Sequence, residues 1–137
     1  MHFSLWKDNV SVMADLADSN AANSVARAFV AGVFTHLPAI VALSMPTVNS
    51  YERCVPGAWA GAHHAVGWQH RECALRLVSA DASSKDRVCR DVEMKCCDGT
   101  ANPYLVLGAL CLAGADGIRR SLPLPELVST NDPGKSG

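Results

Sequence analysis

Glu93 and Lys95 stand two residues apart in D-V-E-M-K, positions 91–95. On an extended chain that spacing sends both side chains to one face. A carboxylate and an ammonium held there can serve a divalent metal and an anionic substrate, or can be a solvated ion pair on a strand face. Three arginines offer anion-binding chemistry: Arg53 in N-S-Y-E-R-C-V-P-G (49–57), and Arg71 and Arg76 in R-E-C-A-L-R-L (71–77). Read alone, Arg53 is an exposed loop arginine and the other two are surface strand arginines. A spacing of five puts Arg71 and Arg76 on opposite faces of a regular strand, so they share a ligand only if the chain bends between them. His2 and Ser4 fall on one face of the alternating stretch that opens the chain.

Other reactive side chains point away from chemistry. His63 and His64 are adjacent, so an extended chain cannot aim both at one metal. His36 lies in an apolar helical stretch and reads as a satisfied core or edge histidine. The six cysteines include no C-x-x-C pair, and most sit in apolar runs, so they are expected to be reduced and mostly buried thiols of an intracellular protein. Gly134-Lys135-Ser136 imitates the end of a phosphate-binding loop but lacks the upstream glycine and a following helix.

These residues need elements to hold them. Residues 1–6 alternate like a strand, 7–9 form a turn, and 10–22 read as irregular. A four-residue recurrence of Val25, Phe29, Val33, Leu37 and Val41 predicts a helix starting near Asn23 or Ser24, with Ser24 or Asn23 as N-cap. Pro38 is expected to kink or break it at 35–37, and Pro46 marks its latest end. Positions 49–61 are turn-rich, with Pro56-Gly57 the clearest turn. Positions 63–78 read as extended chain and 80–86 as a loop. From 88 to 97 the pattern alternates: Val88, Val92, Met94 and Cys96 face one way, Cys89, Asp91, Glu93, Lys95 and Cys97 the other, with Arg90 as the exception on the apolar face. Asp98-Gly99 turns the chain. Asn102 as N-cap and Pro103 at the first helical position open a Leu- and Ala-rich helix to about Gly117, apolar nearly all round and therefore expected to be buried.

At 137 residues, 49% apolar and 18% charged, the composition is that of a globular domain. A net charge of −1 with unclustered Lys and Arg gives no footprint for nucleic acid. The apolar stretch 25–45 is interrupted by Arg27, His36 and Pro38, which argues against a membrane span. No basic-then-apolar leader is seen at the N-terminus. The expected fold class is α+β, with antiparallel strands, packed helices and a sheet too small to be complete.

Taken together, the motifs N-S-Y-x-R-x-V-P-G, Arg71 with Arg76, V-E-x-K, and D-G-x-A-N-P-Y-L followed by A-G-x-D-G-I resemble the glutamine synthetase family, in order and spacing. The resemblance runs over nearly the whole chain. It implies that residues 1–130 are the C-terminal portion of a catalytic domain, with 131–137 a flexible tail, and that the β-grasp domain and first part of the catalytic domain lie upstream.

The resemblance implies a ligase that couples ATP to amide formation between glutamate and ammonia or an amine, with Mg²⁺ or Mn²⁺, in cytoplasmic nitrogen metabolism and glutamine biosynthesis. By the same resemblance His2 and Ser4 contact ATP, as a remnant of an H-x-H-x-S strand. Arg71 and Arg76 hold nucleotide phosphates, and Arg71 also stabilises the transferring phosphoryl group. Arg53 and Lys95 face the amino-acid carboxylate, and Glu93 is a metal ligand. Lys95 replaces the usual arginine, a point charge in place of a planar fork. Trp59 stands where many members carry the glutamate that takes a proton from ammonium, and an indole cannot act as a base. P-G-x-W is familiar in glutamine-synthetase-like ligases that use amines or other substrates, and in plant and fungal relatives, to which the chain is expected to be closest. The family assembles into homo-oligomeric rings with active sites between subunits. Because one glutamate cannot hold two divalent ions, the chain alone is expected not to turn over. The alternative is a non-catalytic interaction or regulatory protein that retains the half-fold. No nucleic-acid or membrane partner is expected.

Overall fold

A computed structural model describes residues 1–17, 24–79 and 88–128. The loop expected at 80–86, the tail from 131 and Gly134-Lys135-Ser136 lie outside these residues. Six strands and three helices follow in the order β1 (His2–Phe3), β2 (Trp6–Lys7), β3 (Val10–Ser11), α1 (Val25–Ser44), α2 (Val48–Glu52), β4 (His63–Trp68), β5 (Cys73–Ser79), β6 (Cys89–Met94) and α3 (Pro103–Arg119). A 3-10 turn at Met13–Leu16 precedes α1. The expected α+β class is observed. The main sheet runs β1-β6-β5-β4. Its β1–β6 and β5–β6 ladders are antiparallel. The β4–β5 ladder is parallel, a correction to the all-antiparallel expectation. The β2–β3 hairpin turns at Asp8 and Asn9, both at positive φ, the backbone of a two-residue type I′ turn.

One face of the sheet and the two long helices enclose the core. Leu75, Leu77, Val92 and Met94 from the sheet meet Phe29, Val30, Val33 and Leu37 of α1 and Val106, Leu110 and Ala113 of α3. The helices cross with their backbones in contact. A Cβ on Gly32 would lie 2.2 Å from the carbonyl oxygen of Ala113 and 2.7 Å from Cα of Gly117, and one on Gly117 would lie 2.1 Å from the oxygen of Ala28. Only glycine permits that approach.

Four local expectations need correction. Pro38 does not break α1, which is helical from Val25 to Ser44 and capped by Ser24. Proline removes the N–H that would bond the carbonyl four residues back. That carbonyl belongs to Phe34, and His64 Nε2 donates to it at 3.0 Å from β4, its ring stacked on Phe34 at 4.2 Å. Nor do Arg27, His36 and Pro38 disqualify α1 by composition. At 20 residues with mean hydropathy 1.6 it is long and apolar enough to cross a bilayer, but half of it is buried against α3 and the sheet, as in a core helix. Positions 48–52 form a short helix where turn was read, because Thr47 and Ser50 close a capping box. Cys89 and Arg90 exchange faces. The β5–β6 register slips between Val78↔Asp91 and Ser79↔Cys89, and this bulge leaves Arg90 exposed and Cys89 buried.

Helix α3 begins as read, with the Asn102 side chain accepting from the amides of Tyr104 and Leu105. It is not buried all round. Val106, Leu110, Ala113, Gly114 and Gly117 face inward, whereas Tyr104 and Leu112 are 85% and 74% exposed. All six cysteines are free thiols; Cys73, Cys89 and Cys96 are buried and Cys111 is exposed. Burial pushes Cys73 and Cys96 up to about 11 and Cys89 up to about 12, so these thiols stay protonated and inert near neutrality.

Two stability predictions follow from these contacts. Gly117→Ala forces two backbones apart and should cost roughly 1–3 kcal/mol, whereas Gly108→Ala meets nothing within 4 Å and should stabilise by up to about 1 kcal/mol through helix propensity. Urea denaturation midpoints should move in opposite directions. His64→Phe keeps the stacked ring but leaves the Phe34 carbonyl without its donor, an expected loss of about 1 kcal/mol. Coupling to Pro38 is checked by the double variant with Pro38→Ala, which should recover most of that loss.

Candidate active site

The polar face of the sheet gathers charge in one row. Register places His2 of β1 opposite Glu93 of β6, and Glu93 opposite Arg76 of β5. Leu75, Leu77, Val92 and Met94 take the other face, so the alternation that builds the core also delivers the polar residues. Glu93 is held by two cations: Arg76 Nη1 donates to Oε2 at 3.0 Å and Lys95 Nζ donates to Oε1 at 3.2 Å. His2 Nε2 lies 3.8 Å from Oε1, and its Nδ1 is 2.7 Å from Asp91 Oδ1. Arg76 Nη2 donates to the side-chain oxygen of Gln69 at 2.9 Å. Glu93, Arg76 and Lys95 are all less than a fifth exposed. Burial alone would raise the Glu93 carboxyl; hydrogen bonds and charge from Arg76 and Lys95 outweigh it and hold the group below its ordinary value. Glu93 is therefore an anion at neutral pH.

A second group sits on the turn between β4 and β5. The Glu72 carboxylate accepts the amides of Gly57 at 3.2 Å and Trp59 at 2.9 Å. This fixes the 57–59 loop, in which Gly57 and Trp59 both have positive φ. The Arg71 guanidinium lies over the Trp59 indole, 4.8 Å from the ring centroid, in cation–π range. Both residues are exposed.

The sequence-derived residues divide accordingly. His2, Arg76, Glu93 and Lys95 come together. Arg53 reaches the same strand end by main chain: its Nη2 donates to the carbonyls of Lys95 and Cys97, each at 3.0 Å. Ser4 stands apart, its hydroxyl accepting the Trp6 indole N–H at 3.0 Å. Arg71 lies in the turn ahead of β5 rather than on the strand, so the face argument that opposed it to Arg76 does not apply. His36 is satisfied by Asp116 at 2.9 Å. Sequence reasoning passed over Asp91, Gln69 and Glu72. Asp91 was legible in the alternation, two residues before Glu93. Gln69 and Glu72 act across turns, where no periodicity marks them.

The residues present do not compose a metal centre. Both Glu93 oxygens are engaged by cations, and among the described residues no group of three or more His, Cys, Asp or Glu could hold an ion.

Residues 1–134 match the family model for the glutamine synthetase catalytic domain. The chain is 42% identical over 135 residues to a gamma-glutamylpolyamine synthetase of Streptomyces coelicolor, covering 98% of this chain and 28% of that one. It is 34% identical over 131 residues to a glutamine synthetase of Thermococcus kodakarensis, covering 96% and 28%. A solved structure described as a novel glutamine synthase homolog superposes with a TM-score of 0.74 at 33% identity, covering 90% of this chain and 30% of that one. The chain thus spans under a third of the length of these relatives. Motif order, sheet architecture and these similarities agree: the chain belongs to the glutamine synthetase catalytic-domain family.

Proposed function

We propose that this chain carries the phosphate- and carboxylate-gripping part of an ATP-dependent ligase that joins glutamate to an amine. The observation that carries this reading is the half-buried row Arg76–Glu93–Lys95, with Arg53 at its strand end and Arg71 held separately on the Trp59 ring. Guanidinium groups fixed on the polar face of a sheet and at its loop ends suit anionic ligands whose charge shifts during reaction. In the reaction proposed, an oxygen of the glutamate side-chain carboxylate attacks the terminal phosphorus of ATP, and ADP leaves. The amine nitrogen then attacks the acyl carbon, phosphate leaves and the nitrogen loses a proton. Arg71 and Arg76 hold phosphate oxygens, with His2 and Ser4 beside the nucleotide. Arg53 and Lys95 neutralise the amino-acid carboxylate. A divalent cation such as Mg²⁺ or Mn²⁺ would find one carboxylate here, Glu93, and would have to displace its cations. No step is assigned to it.

Two observations favour an amine over ammonia as acceptor. Trp59 offers no base at the position where ammonia-using members carry a carboxylate, and a relative at 42% identity is named for a polyamine substrate. The engaged oxygens of Glu93 also support the second reading, a non-catalytic protein that keeps the fold and the anion grip.

Calorimetric titration with Mg·ATP separates ligase from bystander. Saturable binding is expected, weakened at least tenfold by Arg71→Ala; among the described residues this exposed side chain rests on the Trp59 ring, so the fold should survive. Absence of binding, or an unchanged affinity in the variant, would overturn the ligase reading. The chain alone should release no phosphate from Mg·ATP above background, and robust release would contradict the single-carboxylate argument.

A further inference from the structure

Gln69 sits where the backbone is least suited to it. Its φ is +53°, the left-handed region that favours glycine and asparagine. The conformation is fixed by its amide, which donates to the Leu77 carbonyl at 2.9 Å, next to Arg76 on β5. The result is that the Gln69 side-chain oxygen meets Arg76 Nη2 at 2.9 Å. Glu93 takes Nη1 from the opposite flank at 3.0 Å. Arg76 Nε is buried and has no partner. The plane of the guanidinium is thus set by two acceptors on different elements, one on β6 and one on the β4–β5 turn. A strained residue whose side chain fixes a half-buried cation is the kind of outlier that points to function.

We propose that Gln69 is a positioning residue for Arg76, holding its guanidinium in the one orientation that presents the remaining N–H groups to an anionic oxygen of a bound phosphate. Glu93 alone would leave the fork free to pivot about its Cγ–Cδ and Cδ–Nε bonds and to swing with the strand face. Gln69 supplies the second point that defines a plane. The inference rests on the phosphate-binding reading of Arg76 given above only for the identity of the ligand; the positioning itself is a property of the unliganded chain.

Gln69→Gly is the discriminating variant, because it relaxes the backbone while deleting the acceptor. Its thermal midpoint should equal or exceed that of the parent. By NMR, the Arg76 Nη protons should be resolved and slowly exchanging in the parent, averaged in Gln69→Gly, and resolved again in Gln69→Glu, which restores an acceptor oxygen. Mg·ATP affinity should fall roughly five- to tenfold in Gln69→Gly, the size expected for the net loss of one hydrogen bond. Arg76 signals that do not change between the parent and Gln69→Gly would overturn the proposal. Averaged signals with unchanged Mg·ATP affinity would uphold the positioning role and instead remove Arg76 from the phosphate site.

Discussion

The close approach of two backbones, Gly32 of α1 against Gly117 of α3, fixes how the two long helices sit on the sheet. Because the two helices cannot slide without a clash, the C-terminal end of α1 is fixed over the end of β6. There Ser44 is fully buried and its hydroxyl donates to the Cys96 carbonyl at 2.6 Å, while the Asp98 amide donates to the Ser44 carbonyl at 3.1 Å. The short α2 follows at once, and its C-cap residue Arg53 grasps the carbonyls of Lys95 and Cys97. A helix crossing on the apolar side thereby fixes the strand end that bears Lys95 on the polar side.

The charged row shows how a half-buried carboxylate is tolerated. Glu93 lies among residues that would cost it its charge, and Arg76 and Lys95 restore it. The arrangement ties three residues from two strands and a strand extension into one unit, so none can be assigned an independent contribution. It also shapes the chemistry available. The cations are already directed at a carboxylate, which resembles in charge and geometry the anionic groups they are proposed to hold. Trp59, pinned by Glu72 and covered by Arg71, presents an aromatic surface rather than a proton acceptor on its loop.

Much of this was legible in the sequence, and the failures have physical causes. The alternation from 88 to 97 located Glu93 and Lys95 on one face because strand periodicity is strict. It misplaced Cys89 and Arg90 because a bulge changes parity without leaving a mark in composition. The apolar period of α1 and the Asn102-Pro103 start of α3 were read correctly since local chemistry decides them. The effect of Pro38 was misjudged because the compensating donor, His64, is 26 residues away along the chain and arrives only through tertiary structure. Helix α3 was read as buried all round because composition counts apolar residues without knowing how many neighbours exist to cover them. Gln69 left no trace at all: its role depends on a backbone conformation that glutamine seldom adopts.

The link between Pro38 and His64 has an evolutionary reading. A carbonyl that has lost its helical donor must find another, so a proline at 38 places a demand on position 64, and a donor at 64 gives license for proline at 38. The two sites are epistatic. A lineage could acquire the histidine first at little cost, since the Phe34 carbonyl can accept a second bond, and the proline afterwards; the reverse order passes through a less stable intermediate. Once both are in place, replacing His64 alone would strand the Phe34 carbonyl, so α1 and β4 are coupled although nothing in their local sequence connects them.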